Sequence, residues 1–194
     1  MDPHATETDR ASTATRILDA AQAQIQRRGY NAVSYGDLAD ALDLTTAAVH
    51  YHFSSKADLG KALVARYRQA NADARAAIQE EEETLRGQLE RYVEGYVGIL
   101  ESGGLCLCGV LAADDETLPA PVRREVRGFF ADQEDWLAEI IADADDAELA
   151  GHDAPREVAE LLLATIEGAM LTTRHRGPDA YRTLLRRFID TVAS

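Results

Sequence analysis

The sequence predicts an all-α protein: a small three-helix head followed by a larger helical domain. Three observations carry this. Apolar residues recur at three- and four-residue spacing in one segment after another, and no stretch shows the alternation of a strand. Ala, Leu, Glu and Arg are abundant and only five prolines occur, a composition that favours helices. Gly and Pro stand at the junctions, as at Gly29, Gly103–Gly104, Pro119 and Gly177–Pro178, where they punctuate one helix from the next. With 194 residues, 46% of them hydrophobic, the chain can bury a sizeable core.

The elements follow in order. Met1–Ala11 reads as a disordered arm. Ala14, Ile17, Leu18, Ala21 and Ile25 then mark a first helix that Gly29 stops. Ser34 with Asp37 forms a capping box that opens a short second helix, with Leu38, Ala39 and Leu42 as its buried stripe. Asp43 and Leu44 make a tight turn. Thr45 caps a third helix whose inward side is Ala48, Val49, His52 and Phe53. Ser55 with Asp58 opens a long fourth helix. Residues 12–56 therefore form a helix-turn-helix head, and 57–194 form the second domain. There, further helices are expected over Leu85–Leu100, Val122–Ile141, Pro155–Met170 and Tyr181–Ile189. A short apolar piece, Leu105–Ala112, lies between the first two, and an acidic loop, Asp143–Ala154, between the second and third.

Two short helices joined by a two- or three-residue turn must cross steeply, so small or branched residues such as Ala39 and Val49 fit their contact. The outer side of the third helix is then free to enter a major groove. Thr46, Ala47, His50 and Tyr51 fall on that side. Ser34 and Thr45 sit at helix N-termini, where hydroxyls and N–H groups can meet phosphates, and Lys56 can reach the backbone as a point charge. The net charge of −14 excludes a general nucleic-acid coat. Residues 1–60 carry 8 acids against 5 bases, so most of the acidity lies further on. A His-x-His pair at 50 and 52 does not suggest metal, because residues two apart on a helix point about 200° away from each other.

The stretch RGYNAVSYGDLADALDLTTAAVHYHFSSKADLGKALVARY, and within it AVHYHFSSK at 48–56 followed by Ala57-Asp58-Leu59, resembles the DNA-binding signature of the tetracycline-repressor (TetR) family. The resemblance covers roughly residues 12–67. It implies that Thr45, Thr46, Tyr51 and Lys56 fall where the family contacts DNA. His50 stands where the family often has tyrosine, and Asp43 where it usually has glycine. Asp tolerates a left-handed turn better than most residues, so modest strain is expected there.

The resemblance further implies a ligand cavity and a dimer interface made by the last two long helices. The sequence supports both readings on its own terms. Tyr92, Tyr96, Leu100, Cys106, Cys108, Leu111, Phe129, Phe130 and Trp136 mix hydroxyls, thiols and an indole among aliphatics, as small-molecule pockets do. Each alone could equally be core. The helices of 155–192, joined by a Gly-Pro turn, can pair with their copy as a four-helix bundle. Leu161, Leu162, Thr165, Met170, Leu184, Leu185 and Phe188 are the expected interface. Cys106 and Cys108 read as buried thiols. An electrophile or redox sensor is the alternative, and metal binding a third.

No nucleophile elbow, phosphate-binding Gly loop or metal-spaced His/Glu set is found, so no enzyme, cofactor or metal is expected. Pairs such as Asp114–Asp115 read as solvation. No run of about 18 apolar residues could span a membrane, and with two closely spaced cysteines a reduced, cytoplasmic location is expected. The expected partners are a palindromic double-stranded DNA operator, a small-molecule effector and a second copy of the chain. The expected function is a ligand-released repressor. An activator shares every motif, and a helical adaptor with a degenerate head is the alternative that the acidity motivates.

Overall fold

The structure, a computed structural model, describes residues 3–144 and 154–193, with side chains from Ser12 onward. Among the described residues the chain is helical, without strands. Its elements are α1 (Pro3–Arg28), α2 (Tyr35–Leu42), α3 (Thr46–His52), α4 (Lys56–Glu81), α5 (Leu85–Glu101), α6 (Leu107–Ala113), α7 (Ala120–Ala142), α8 (Pro155–Thr173) and α9 (Pro178–Val192), with one 3₁₀ turn at Asp115–Thr117. The all-α expectation holds.

Residues 3–11, expected as a disordered arm, instead continue α1 as helical backbone. The physical reason is a proline that suits the first helical turn, followed by a run without glycine. Met1, Asp2 and residues 145–153 of the expected acidic loop lie outside the described residues.

The chain divides into two compact units, with divisions inside α4, just before α6 and inside α7. The first unit comprises residues 1–67 and 107–126, the second 68–106 and 127–194. The first therefore holds more than the head of 12–56.

In the first unit, Ile17, Ala21, Leu38, Val49, Leu63 and Val64 are buried. Each such side chain contributes roughly 1.5–3 kcal/mol of burial, less for alanine. The Ser34–Asp37 capping box forms as the sequence predicts, and Thr45 and Ser55 cap their helices through their hydroxyls. Ser34 Oγ accepts from Asp37 N at 3.2 Å while Ser34 N donates to Asp37 Oδ2 at 2.7 Å. Thr45 Oγ1 accepts from Ala48 N at 3.1 Å. Ser55 Oγ accepts from Asp58 N at 3.1 Å. Two buried tyrosines lock the head. The Tyr35 hydroxyl donates to the Phe53 carbonyl at 2.9 Å, tying the start of α2 to the end of α3. The Tyr30 hydroxyl donates to the Lys56 carbonyl at 2.9 Å, fixing the entry into α4. Gly60 is required by packing: a Cβ there would come within 2.9 Å of Val122 and 3.1 Å of the Tyr30 ring.

Asp114 does more than solvate the surface, contrary to expectation. Its carboxylate accepts from Tyr30 N at 3.1 Å, so the segment after α6 fastens the turn between α1 and α2. Asn31 Nδ2 donates to Thr117 Oγ1 at 2.7 Å beside it.

Asp43 ends α2 at φ 55°, ψ 42°, the left-handed conformation expected of it. Among the described residues it is the one non-glycine at positive φ. Asp43→Gly should raise stability by up to about 1 kcal/mol, because glycine enters this region without the Cβ clash. Thermal denaturation of the two proteins checks it, and an unchanged or lowered Tm would show that Asp43 bears no strain.

In the second unit α9 packs against both α5 and α8. Leu89, Leu137, Ile141, Leu162, Ile166 and Leu185 are buried there. Gly103, at φ 77°, stops α5. The rim between α5 and α9 is clamped by arginines. Arg182 grips Glu94 through two bonds, at 2.7 and 3.1 Å. Arg86 reaches Asp190 at 2.8 Å and the Ala193 carbonyl at 2.6 Å.

Candidate functional site

The exposed side of α3 is the first candidate. Val49, 0% exposed, anchors the helix, and the capping hydroxyl of Thr45 sets its start. Thr45, Thr46, Ala47, His50 and Tyr51 all lie on the exposed side, with Tyr51 63% exposed. All five side chains are thus open to a partner molecule. His50 is held edge-on to the Tyr35 ring, centroids 4.5 Å apart. Tyr51 meets the His52 ring at 5.4 Å. His52 is half-buried, consistent with its expected packing role. The Ser34 hydroxyl is exposed but engaged with Asp37, and these bonds hold the Asp37 carboxyl below its ordinary range. Lys56 is half-buried, with its ammonium 4.4 Å from the Tyr30 ring centroid. Burial lowers its pKa, while Asp114 and Asp37 offset part of that.

The second candidate is polar and lies inside the second unit. Tyr92 donates to Gln133 Oε1 at 2.8 Å. With its proton so used, it accepts from the Tyr96 hydroxyl at 3.0 Å. The Trp136 ring lies 5.0 Å from the Tyr92 ring, and its N–H donates to Gln79 Oε1 at 3.0 Å. Around this core, among the described residues, four shielded side-chain atoms have no hydrogen-bond partner: Arg75 Nη1, Gln133 Nε2, Glu167 Oε1 and Tyr181 Oη. Each such atom costs roughly 1–3 kcal/mol when left unsatisfied, and a bound molecule is one way to satisfy a group of them. Burial pushes the Glu167 carboxyl up to about 7, with only a hydrogen bond from Cys106 opposing it. Burial also raises the Tyr92 and Tyr181 hydroxyls, and the nearby Glu167 adds to both shifts.

Of the nine expected ligand residues, Tyr92, Tyr96, Trp136 and Cys106 meet at or beside this cluster. Phe129 is buried with Phe130 against it at 5.4 Å, and Leu100 is half-buried. Cys108 and Leu111 fall in the other unit, on α6. Of the eight residues of Leu105–Ala112, seven are buried or half-buried, Leu105, Cys106, Leu107, Cys108 and Leu111 being buried, and α6 forms there. Sequence reasoning missed Arg75, Glu167 and Tyr181. Glu167 carried a signal, as an acid inside the apolar run of α8.

The expected interface residues divide. Leu161 is 58% exposed, and Thr165, Leu184 and Phe188 are partly exposed. Leu162, Met170 and Leu185 are corrected: they are at most 1% exposed and point into the chain's own core. Leu171, 64% exposed, extends the outer face and was not anticipated. Among the described residues, no group of three His, Cys, Asp or Glu could hold a metal ion, and no helix is long and apolar enough to cross a membrane.

Residues 17–63 match the family of bacterial regulatory proteins called tetR, and residues 82–189 match the tetracyclin repressor-like C-terminal domain. The chain belongs to the TetR family. Solved TetR-family structures agree. A transcriptional regulator from Agrobacterium tumefaciens is 31% identical over 95% of this chain and 100% of its own, with a TM-score of 0.90. A TetR transcriptional regulator from Legionella pneumophila is 29% identical over 91% and 95%, with a TM-score of 0.83. A transcriptional regulator from Saccharomonospora viridis in complex with choline is 26% identical over 95% and 99%, with a TM-score of 0.80. No curated protein matches this chain. As a TetR-family transcriptional regulator the chain carries its helix-turn-helix in α2 and α3, and the DNA-binding reading of the head is supported.

Two predictions belong to this site. Glu167 holds its proton in the folded chain to about pH 7, against 4.5 as its ordinary value. An acid with a raised folded pKa favours the folded state most below its unfolded value, and that contribution is lost as pH rises through the folded one. Between about pH 5 and 7 the native protein should therefore lose stability relative to Glu167→Gln. Parallel Tm-against-pH curves for the two would contradict this. Second, Cys106 and Cys108 are 1% and 0% exposed. A thiol reacts as an exposed thiolate, so neither should be alkylated by iodoacetamide before denaturation, as mass spectrometry reads.

Proposed function

We propose that this regulator is a homodimeric repressor that grips a palindromic operator with two copies of α3 and lets go when a small organic effector enters the second unit. The uncovered side of α3 carries the reading. Five short or aromatic side chains stand exposed on a helix whose opposite side is locked into the head, which is the arrangement a major groove accepts. Pairing through the outer face of α8 and α9 supports a twofold operator, since that face leaves Leu161, Leu171, Leu184 and Phe188 accessible. The interior polar cluster supports an effector site, and the choline held by the Saccharomonospora viridis relative is consistent with a small, cationic ligand. An effector shifts the equilibrium only by its preference for the conformation that does not fit DNA.

The test challenges the protein, bound to a DNA site selected from random sequence, with a library of small organic compounds. Release by a saturable subset is expected. Tight DNA binding that no compound relieves would leave a regulator without an effector and overturn the repressor-release scheme.

A further inference from the structure

The four unpartnered atoms are not scattered. Tyr92 contacts Gln133 directly, and its hydroxyl feels both the Arg75 guanidinium and the Glu167 carboxyl. Tyr181 feels Glu167, Tyr92 and Cys106. Tyr92 thus lies within electrostatic reach of both charged members of the cluster and bonds the third. Arg75 Nη1 and Gln133 Nε2 are unmet donors. Glu167 Oε1 is an unmet acceptor, near enough to the Tyr181 hydroxyl to raise its pKa. Among the described residues no cationic side chain offsets the burial of the Glu167 carboxyl; a hydrogen bond from the Cys106 thiol supports its charge. Buried carboxylates are tolerated when paired, and this one lacks a partner cation of its own. Aromatic rings of Tyr92, Tyr96 and Trp136 fill the surroundings, a setting that favours organic cations over hydrated metal ions.

We propose that the effector of this regulator is a protonated primary or secondary amine that also carries an oxygen acceptor, with its N–H donated to Glu167 Oε1 and its oxygen facing Gln133 Nε2 and Arg75 Nη1. This rests on the reading of the second unit as an effector site. One such molecule satisfies three of the four unmet atoms, and its charge neutralises the buried acid. A neutral molecule leaves the carboxyl unpaired, and an anion adds a charge beside it. Glu167 selects the class, and Arg75 with Gln133 selects among amines.

The test is calorimetric binding to the full chain of short α,ω-amino alcohols of graded length, each against the diol of the same length. The amino alcohol should bind at least about tenfold tighter than its diol at one or more lengths, the equivalent of ~1.4 kcal/mol. Glu167→Gln should erase that preference. Arg75→Met should keep it while removing the advantage of an amino alcohol over an alkylamine of equal length. Retained DNA binding by both variants shows that they fold. Equal affinity for amine and diol at every length, a preference that survives Glu167→Gln, or no binding at millimolar concentration overturns the proposal. Glu167-dependent binding that fails to release DNA leaves the amine site standing and defeats the effector reading, so the two failures are distinguishable.

Discussion

Tyr51→Ala should weaken binding to the selected operator about five- to hundredfold, the ~1–3 kcal/mol typical of losing one specific contact. Thermal stability should hold within about 0.5 kcal/mol, because an exposed residue outside the core contributes little to folding. Tyr51 is 63% exposed, and the ring contact it makes is to His52 on its own helix. Phe53 and Val49 supply the core beneath. The residue is therefore kept out of the core, where a partner molecule can reach it. Anisotropy titrations at two salt concentrations separate its role. A phosphate contact lowers affinity uniformly across DNA sequences, whereas a base contact relaxes discrimination at one position. Unchanged affinity would remove Tyr51 from the reading face.

Leu161→Glu combined with Leu184→Glu should convert the protein to a monomer and lower operator affinity at least about a hundredfold, or ~2.7 kcal/mol. Leu161 lies on the outer side of α8, while Leu184 and Phe188 line a concave surface on α9 with Thr183 and Arg187. Charges placed across a twofold axis meet their own copies, so each substitution is felt twice at the interface. Neither position is in the core of the single chain, and the monomer should remain helical. Sedimentation gives the mass and circular dichroism the fold. A variant that stays dimeric would place the pairing surface elsewhere.

Much of the fold was legible because its boundaries are chemical. Ser34, Thr45 and Ser55 cap helices through oxygens whose spacing to the next carboxylate or amide can be read along the chain. Gly29 and Gly103 adopt positive φ where α1 and α5 stop, and Gly177 does so just before α9 begins. The exposed side of α3 followed from the same periodicity, since the position of Val49 fixes which neighbours face out. What periodicity could not decide was which of two apolar faces meets the chain's own core. Helix α8 is apolar on both, so its pattern alone places Leu162 and Met170 outward, whereas they point inward. The polar cluster was hidden for a different reason. Arg75, Glu167 and Tyr181 sit on three separate helices, and only tertiary packing converges them. Asp114 was obscured likewise, because its partner Tyr30 N is 84 residues away.

Whether two copies of this chain read a twofold DNA site is decided by one measurement. The full chain is titrated by anisotropy against the DNA flanking its own gene, at low and physiological salt, with footprinting of the saturated complex. Tight, saturable binding that weakens with salt, with protection of two symmetric half-sites about one helical turn apart, is the predicted result. Absence of saturable binding at either salt, to this DNA and to sites selected from random sequence, would contradict it.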